Sequence, residues 1–365
     1  MNALDERDSM DQFSAHLDRG WELVQRGDTR GAAASARRAL ELDPSSPEAH
    51  NLLGFVAAME GEGEEAIEAY QQAIALDETY LEAMLNAAEV YIAPLGDFDS
   101  AIRMCDQALD LAEVDEELID ALLLKFDALM GKGDRTGAEQ VLGRVPPGPY
   151  ENPGHLFLVG RAHYELGDVE KSRYLVEQAA DKDPRHPEAH YYLGLIKDEL
   201  GDARGATLAF LRARELDLAQ GMPPWAPPRE EWEEAAGRAF QELNALFLGY
   251  VEGADVFISD VPGVELVAEG VDPRALLLLD GFGSAFDDAL DEAAAAELGS
   301  ARTPTTPRAR VATRATRIFV YAINVARQAG QAGALEQEVL SALEREITAT
   351  FLEPEQNERG AKEMN

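Results

Sequence analysis

Glycine recurs through the first two thirds of the 365-residue chain at Gly27, Gly61, Gly96, Gly133, Gly167 and Gly201, at spacings of 34, 35, 37, 34 and 34 residues. Each of these glycines separates two stretches whose apolar residues fall at helical spacing, so the repeating unit is a helix pair closed by a turn. A hairpin of that size cannot bury its apolar face alone, and the stack must continue from one copy to the next. Unrelated amphipathic helices with chance glycines would not hold this spacing together with matching side chains. About six hairpins are expected over residues 13–220, preceded by a tail at 1–12.

The clearest copies are "PEAHNLLGFVAAMEGEGEEAIEAYQQAIALDETY" (47–80) and "PEAHYYLGLIKDELGDARGATLAFLRARELD" (187–217). They supply Leu53, Gly54, Ala66, Tyr70 and Ala73 in one case and Leu193, Gly194, Ala206, Phe210 and Ala213 in the other. Pro44, Gly160 and Pro184 fall at corresponding places of the first and fifth copies. This pattern resembles the tetratricopeptide repeat, in which small residues let the two helices approach and large ones fill the space between hairpins. The third copy has an extra residue near Pro94, and the fourth, "LIDALLLKFDALMGKGDRTGAEQVLGRV", lacks the Leu-Gly pair and runs into "PPGPYENPG".

The resemblance implies a solenoid whose first helices line a concave groove. The corresponding groove positions are Asn51, Phe55, Leu85, Glu89, Phe157, Arg161, Tyr164, Tyr191, Leu195 and Asp198, about half of which would pack between repeats instead. Family members that grip a C-terminal carboxylate use Lys and Asn at these places, and that set is missing. The expected guest is therefore a protein or peptide segment with apolar and basic anchors.

Charge narrows the partners further. With 69 acidic against 32 basic residues the formal charge is -37, which disfavours nucleic acid and anionic membranes. The acidic opening has no leader pattern and no stretch is long enough to span a bilayer, so a cytoplasmic location is expected. The lone Cys105 reads as a small core residue in a reducing compartment. His16, His50 and His190 occupy a repeat position that the family usually gives to Trp, and so read as packing residues. His186 and His190 have a metal-capable spacing, but Pro187 places the first off the helical face. No cofactor is expected, and the oligomeric state is left open.

The repeats end at "ELDLAQ", and the prolines of "GMPPWAPPREEW" mark a linker at 221–229. Residues 230–355 read as a small α+β domain in the order helix, strand, helix, strand, helix. Its parts are an opening helix with Trp232, Ala235, Ala236, Ala239, Phe240 and Leu243 on one face, a strand in "ADVFISDVP", and a short helix and turn in "GVELVAEGVDPRALLLLDG". A second strand, "RIFVYAIN", and a closing helix from about Ala334 to Leu352 complete it. Biased composition predicts a mobile loop near 287–316, and 356–365 form a tail. "DGFGSAF" reads as a turn rather than a phosphate loop, and Arg302, Arg308, Arg310, Arg314 and Arg317 form a basic run suited to the chain's own acidic face or an acidic partner.

The succession "EEWEEAAGRAF", "VFISDVPGVELVAEGVDPRALLLLDG", "RIFVYAINVAR" and "EQEVLSALEREITATF" resembles the minimal zincin-like metallopeptidase domain, whose closing helix carries His-Glu-x-x-His. Aligned on that motif, Glu346 falls on the general base, but Arg345 and Ala349 stand in place of the two histidine ligands. A guanidinium and a methyl offer zinc no lone pair, and no histidine follows His190. Without zinc, water keeps a pKa about nine units higher, about 12 kcal/mol in forming hydroxide. Glu346 is catalytic only under the alternative of a divergent metallopeptidase; Glu353 and Glu355 would make a different, weak site for a hard cation. The expected protein is thus a non-enzymatic interaction scaffold: an α-helical solenoid followed by a zincin-like α+β domain without metal ligands.

Overall fold

The turns show why the spacing is kept. In the computed structural model, which describes residues 3–282 and 314–352, the six recurring glycines all have φ between 66° and 84°. That left-handed region penalises any residue carrying a Cβ. The next residue is Asp in five cases, Asp28, Asp97, Asp134, Asp168 and Asp202, and its carboxylate accepts the N–H three residues on at 2.9–3.3 Å. Glycine ends the chain's reversal and aspartate caps the helix that follows. Glu62, which follows Gly61, makes no such bond.

The first helices of the hairpins are α1 (Ala3–Gln25), α3 (Pro47–Met59), α5 (Leu81–Ile92), α7 (Asp115–Lys132), α9 (Pro153–Glu165) and α11 (Pro187–Glu199). Their partners are α2 (Thr29–Leu42), α4 (Gly63–Leu76), α6 (Phe98–Leu111), α8 (Arg135–Leu142), α10 (Val169–Lys182) and α12 (Ala203–Gln220). Because α1 reaches back to Ala3, most of the segment expected to be a tail is helical. Close approach needs the small residues: a Cβ on Gly54 would sit 2.6 Å from the Tyr70 ring, and one on Gly194 2.4 Å from that of Phe210. Cys105 is fully buried on α6, and burial, then Asp106, pushes its thiol up to about 12.

One partner helix is cut short. α2, α4, α6 and α10 have 14 residues each, whereas α8 has eight and gives way to a non-helical stretch before α9. The prolines of "RVPPGPYENP" explain the stop, since the helix cannot continue through them.

The chain divides into two compact units, one of Met1–Ala226 and one from Pro227 onward, with Val267–Gly270 and Gly330–Ala332 grouped with the first. The later elements are α13 (Arg229–Glu242), α14 (Ala245–Val251), β1 (Asp255–Ser259), α15 (Val264–Ala268), β2 (Leu277–Asp280), β3 (Arg317–Tyr321), α16 (Ala322–Ala329) and α17 (Leu335–Ile347), which ends in a wide π turn at Thr348–Leu352. The strands form one sheet in the order β1-β3-β2, with β1 parallel and β2 antiparallel to β3. Ile318, Val320, Leu277 and Leu279 are buried, while the rings of Phe257 and Phe319 stack at 5.2 Å. In α17, Leu335, Val339, Leu343 and Ile347 are buried, and the helix packs on α13, where Trp232 is fully enclosed.

Three expectations change here. The run "ALLLLD", read as part of a helix and turn, supplies strand β2, because pairing with β3 outweighs leucine's helix preference. "RIFVYAIN" leaves the sheet at Tyr321 and becomes α16, where Asn324 Nδ2 donates to the carbonyls of Pro273 and Ala275 at 2.9 and 2.8 Å. Among the described residues the region is therefore a mixed three-stranded sheet rather than a two-strand alternation. The loop near 287–316 lies mostly outside the described residues, as do the tail at 356–365 and Arg302, Arg308 and Arg310 of the basic run. Within the described part, Arg317 pairs with Asp280 at 2.6 Å, one cross-strand neighbour with another.

Candidate functional site

The first helices carry side chains that meet their counterparts one repeat away. Asn86 of α5 donates to Asn51 of α3 at 3.0 Å, and His155 Nε2 of α9 lies 2.9 Å from Asp120 of α7. Arg161 of α9 places Nη2 2.5 Å from both carboxylate oxygens of Asp127 on α7. The links continue into α11, since Arg161 Nε lies 3.6 Å from Glu165 and Tyr192 donates to Glu165 at 3.2 Å. A ladder at the repeat spacing thus couples neighbouring hairpins.

Charge is unevenly distributed along this face. Burial pushes the Asp127 carboxyl up, and Arg161 opposes that shift. Burial alone would lower the Arg161 guanidinium, but Asp127 and then Glu165 hold it above its ordinary value, and we take the bidentate pair as charged on both sides. Glu89 is solvent-exposed yet crowded: loss of surrounding water raises its carboxyl first, and Asp120 and Asp127 raise it further. Glu89 and Asp120 form the acidic stretch of the face, flanked by Asp127, whose charge Arg161 meets.

Aromatic rings dominate the next two repeats. Tyr164 and Tyr192 meet edge to face at 5.7 Å, Tyr191 lies 6.0 Å from Tyr192, and Tyr191 and Phe210 are 5.8 Å apart. Burial raises the Tyr164 hydroxyl, with Glu199 adding to the effect. Half-buried tyrosines beside carboxylates offer a guest flat apolar surface together with acceptors for a cation.

The predicted groove residues divide by accessibility. Asn51 is fully buried, with Nδ2 3.2 Å from Tyr80 Oη and 3.4 Å from Glu82, so it ties repeats together and cannot contact a guest. Phe157 is also enclosed, with the His186 ring at 4.7 Å and Tyr192 at 5.5 Å. Arg161 is committed to Asp127. Phe55 is half-buried edge-on to Trp21 at 5.4 Å, and Leu85, Tyr164, Tyr191 and Leu195 are half-buried as well. Glu89 and Asp198 are exposed. Asp120 and Asp127 were missing from the sequence-derived set because the fourth copy lacks the Leu-Gly pair that fixes its register; the 35- and 34-residue separations from His155 and Arg161 are the signal that would have found them. Tyr192, in the sixth copy, is the immediate neighbour of the predicted Tyr191 and was missed there.

The histidines have local partners. His186 caps α11, its Nδ1 accepting from the Ala189 N–H at 3.3 Å, and His190 Nε2 lies 3.1 Å from the Pro184 carbonyl. In the closing helix, Glu346 is half-buried, and burial raises its carboxyl against the opposing charge of Arg345. Arg345 donates to Glu338 at 3.3 Å. Arg345 and Ala349, the residues that flank Glu346 in the sequence-based alignment, offer a zinc ion no lone pair. Among the described residues no group of three or more His, Cys, Asp and Glu could hold a metal ion. Glu353 and Glu355 lie outside the described residues, as does most of "DGFGSAF". No helix among the described residues is long and apolar enough to cross a membrane.

Comparison with known proteins matches residues 17–80 and 157–223 to one tetratricopeptide repeat model and 57–109 to another. The type IV pilus assembly protein PilF of Pseudomonas aeruginosa is 43% identical over 63 residues, 17% of this chain and a quarter of that protein's length. The solved structure of Pseudomonas aeruginosa pilF aligns with a TM-score of 0.47 at 19% identity, over 63% of this chain and 99% of its own. PilW, described as a widely conserved type IV pilus biogenesis factor, aligns with a TM-score of 0.47 at 19% identity, over 56% of this chain and 92% of its own. The matched segments stop at residue 223, short of the mixed sheet. The helical hairpins of the first two thirds are tetratricopeptide repeats, followed by a small mixed α/β region.

Proposed function

We propose that this chain is a protein-interaction scaffold whose first-helix groove captures a partner segment bearing basic and apolar anchors. The observation that carries this reading is the adjacency along one face of the Glu89–Asp120–Asp127 carboxylates and the Tyr164–Tyr191–Tyr192 rings. A lysine or arginine of the guest sits near Glu89, and an aliphatic or aromatic neighbour lies over Tyr191, with Phe55, Leu85, Leu195 and Asp198 at the margins. The formal charge of -37 favours such a guest over nucleic acid or an anionic bilayer. The identity to PilF is confined to 63 residues, about two repeats' length, and supports the repeat type, not a pilus role. In this reading the protein works in the cytoplasm, in keeping with one thiol and no disulfide among the described residues.

The last third supplies a second surface in this proposal: a zincin-like domain that has lost its metal ligands, with Arg345 in an ion pair and Glu346 structural. The rival reading, a divergent metallopeptidase, predicts a chelator-sensitive peptidase activity abolished by Glu346→Gln and stoichiometric zinc by elemental analysis. The scaffold reading predicts neither, and an intact partner interaction in that variant. Quantitative affinity purification from the native host tests the groove: Tyr191→Ala and Glu89→Lys should each deplete the same partner by about fivefold or more. Equal recovery by wild type and both variants would refute the groove assignment.

A further inference from the structure

The short α8 leaves a cleft away from the first-helix groove. It encloses about 930 Å³, and Leu142, Val159, Leu166, Tyr174 and Leu175 line its apolar part. Leu156, Val159 and His163 face it from α9, at roughly 140° around that helix from Phe157, Arg161 and Tyr164, given about 100° per residue. Four other partner helices have 14 residues where α8 has eight, so 14 − 8 = 6 residues are missing here. Six helical residues correspond to about 9 Å. The stack is therefore short of nearly two helical turns at this place; the non-helical stretch from Gly143 to Tyr150 fills part of it, with Val145 and Tyr150 packed on the core, and leaves the cleft open beside Leu142, Leu166 and Leu175.

The polar rim indicates which sign of charge completes it. The lining carries two carboxylates, Glu139 and Asp168, against one ammonium, Lys171. Lys171 lies 3.6 Å from Asp168, and Glu139 lies 3.8 Å from Arg135 on its own helix; these are long, exposed pairs of little strength. His163 has Nδ1 3.5 Å from Asp168, and burial, then Lys171, lowers its proton affinity, so it adds no positive charge at neutral pH. Tyr174, 68% exposed on the rim, presents an aromatic face beside these carboxylates.

We propose that this cleft is a second docking site, occupied by an amphipathic helical segment of a partner protein that replaces the missing turns of α8, with apolar residues at i and i+4 on the leucines and a lysine or arginine at the Glu139–Asp168 rim. The site is independent of the first-helix groove and stands or falls separately from it. Shape argues for a helix, because the same place in the other hairpins is filled by helical turns. Charge argues for a basic one, because the lining carries two carboxylates to one ammonium, Arg135 lying outside it, and the chain as a whole is negative.

The test titrates the full chain with a fluorescently labelled synthetic helix of about four turns, leucines on one face and lysines flanking them, and with the same peptide carrying glutamate for lysine. The lysine peptide should bind saturably and the glutamate peptide at least tenfold more weakly. Tyr174→Ala, exposed enough to spare the fold as checked by circular dichroism, should weaken the lysine peptide about tenfold. Glu139→Lys should narrow or invert the preference between the peptides, and Tyr191→Ala in the groove should change nothing. Absence of saturable binding, equal affinity for the two peptides, or loss in Tyr191→Ala with none in Tyr174→Ala would each overturn the proposal. So would an apolar naphthalene dye that fills the cleft and is not displaced by the peptide, since the occupant would then be a small ligand.

Discussion

The repeats and the last third are both helix-rich, but their folding information is distributed differently. In the hairpins, a left-handed glycine and the aspartate that follows it set the start of each second helix within a few residues, and each helix packs on its sequence neighbours. In the last third, β1 and β3 pair although Asp255 and its partner Arg317 are 317 − 255 = 62 residues apart. Local contacts make the first region modular, whereas the sheet needs a long chain closure before any pairing is gained. Damage in the repeats should therefore stay graded, and damage in the sheet region should be cooperative.

The largest effect is expected in the second region. Trp232→Ala removes a fully buried indole from α13 and should cost about 3–5 kcal/mol in urea unfolding. A cost below about 1 kcal/mol would mean that this region is not a cooperative core. In the first region, Gly194→Leu forces a side chain into the Phe210 ring, at 2.4 Å already from the Cβ, and about 1–3 kcal/mol should be lost by the same measurement. Removing an aspartate cap is smaller: Asp134→Ala should cost about 1 kcal/mol. The converse change, Glu62→Asp, supplies the one side-chain cap bond missing from the series and should raise the melting temperature by about a degree or two. If both leave stability unchanged, the Gly-Asp turn is decoration and the modular picture fails.

The smallest effect is a titration. Glu89 has its carboxyl raised above the ordinary 4.5, so between that value and its folded value the native state binds more protons than the unfolded one. Stability from this group therefore falls as pH rises through that window and returns on acidification. Comparing melting temperatures of wild type and Glu89→Gln between pH 7 and 4.5 isolates it: the gap should be widest at neutral pH, with the variant the more stable, and close toward acid. A gap that widens on acidification would contradict the crowded acidic face.

Legibility in the sequence follows the same division. Gly27 through Gly201 carry their conformational demand in their identity, so the hairpins were readable from spacing, whereas the packing of Tyr70 on Gly54 and of Phe210 on Gly194 within single hairpins, rather than between them, was not. The exclusion of Asn51 and Phe157 from the groove was not, because a residue's place on a helix face does not reveal that Tyr80 and Asn86, or His186 and Tyr192, close over it. Asp127 was hidden in the copy with the weakest signature, although its partner Arg161 was in view. In the last third, β2 is a leucine run with no β-branched residue, and only its register against β3 makes it a strand. The truncation of α8 was half visible, in the prolines that stop it; the cleft it opens depended on which leucines lie beneath.

The buried sulfur on α6 has a practical consequence. Cys105 is the chain's sole thiol and has no access to solvent while its hairpin is closed, so a maleimide can reach it only when that hairpin opens. Its alkylation rate is a built-in clock for breathing at the third repeat, read without any engineered probe, and a guest that braces the neighbouring helices should slow it.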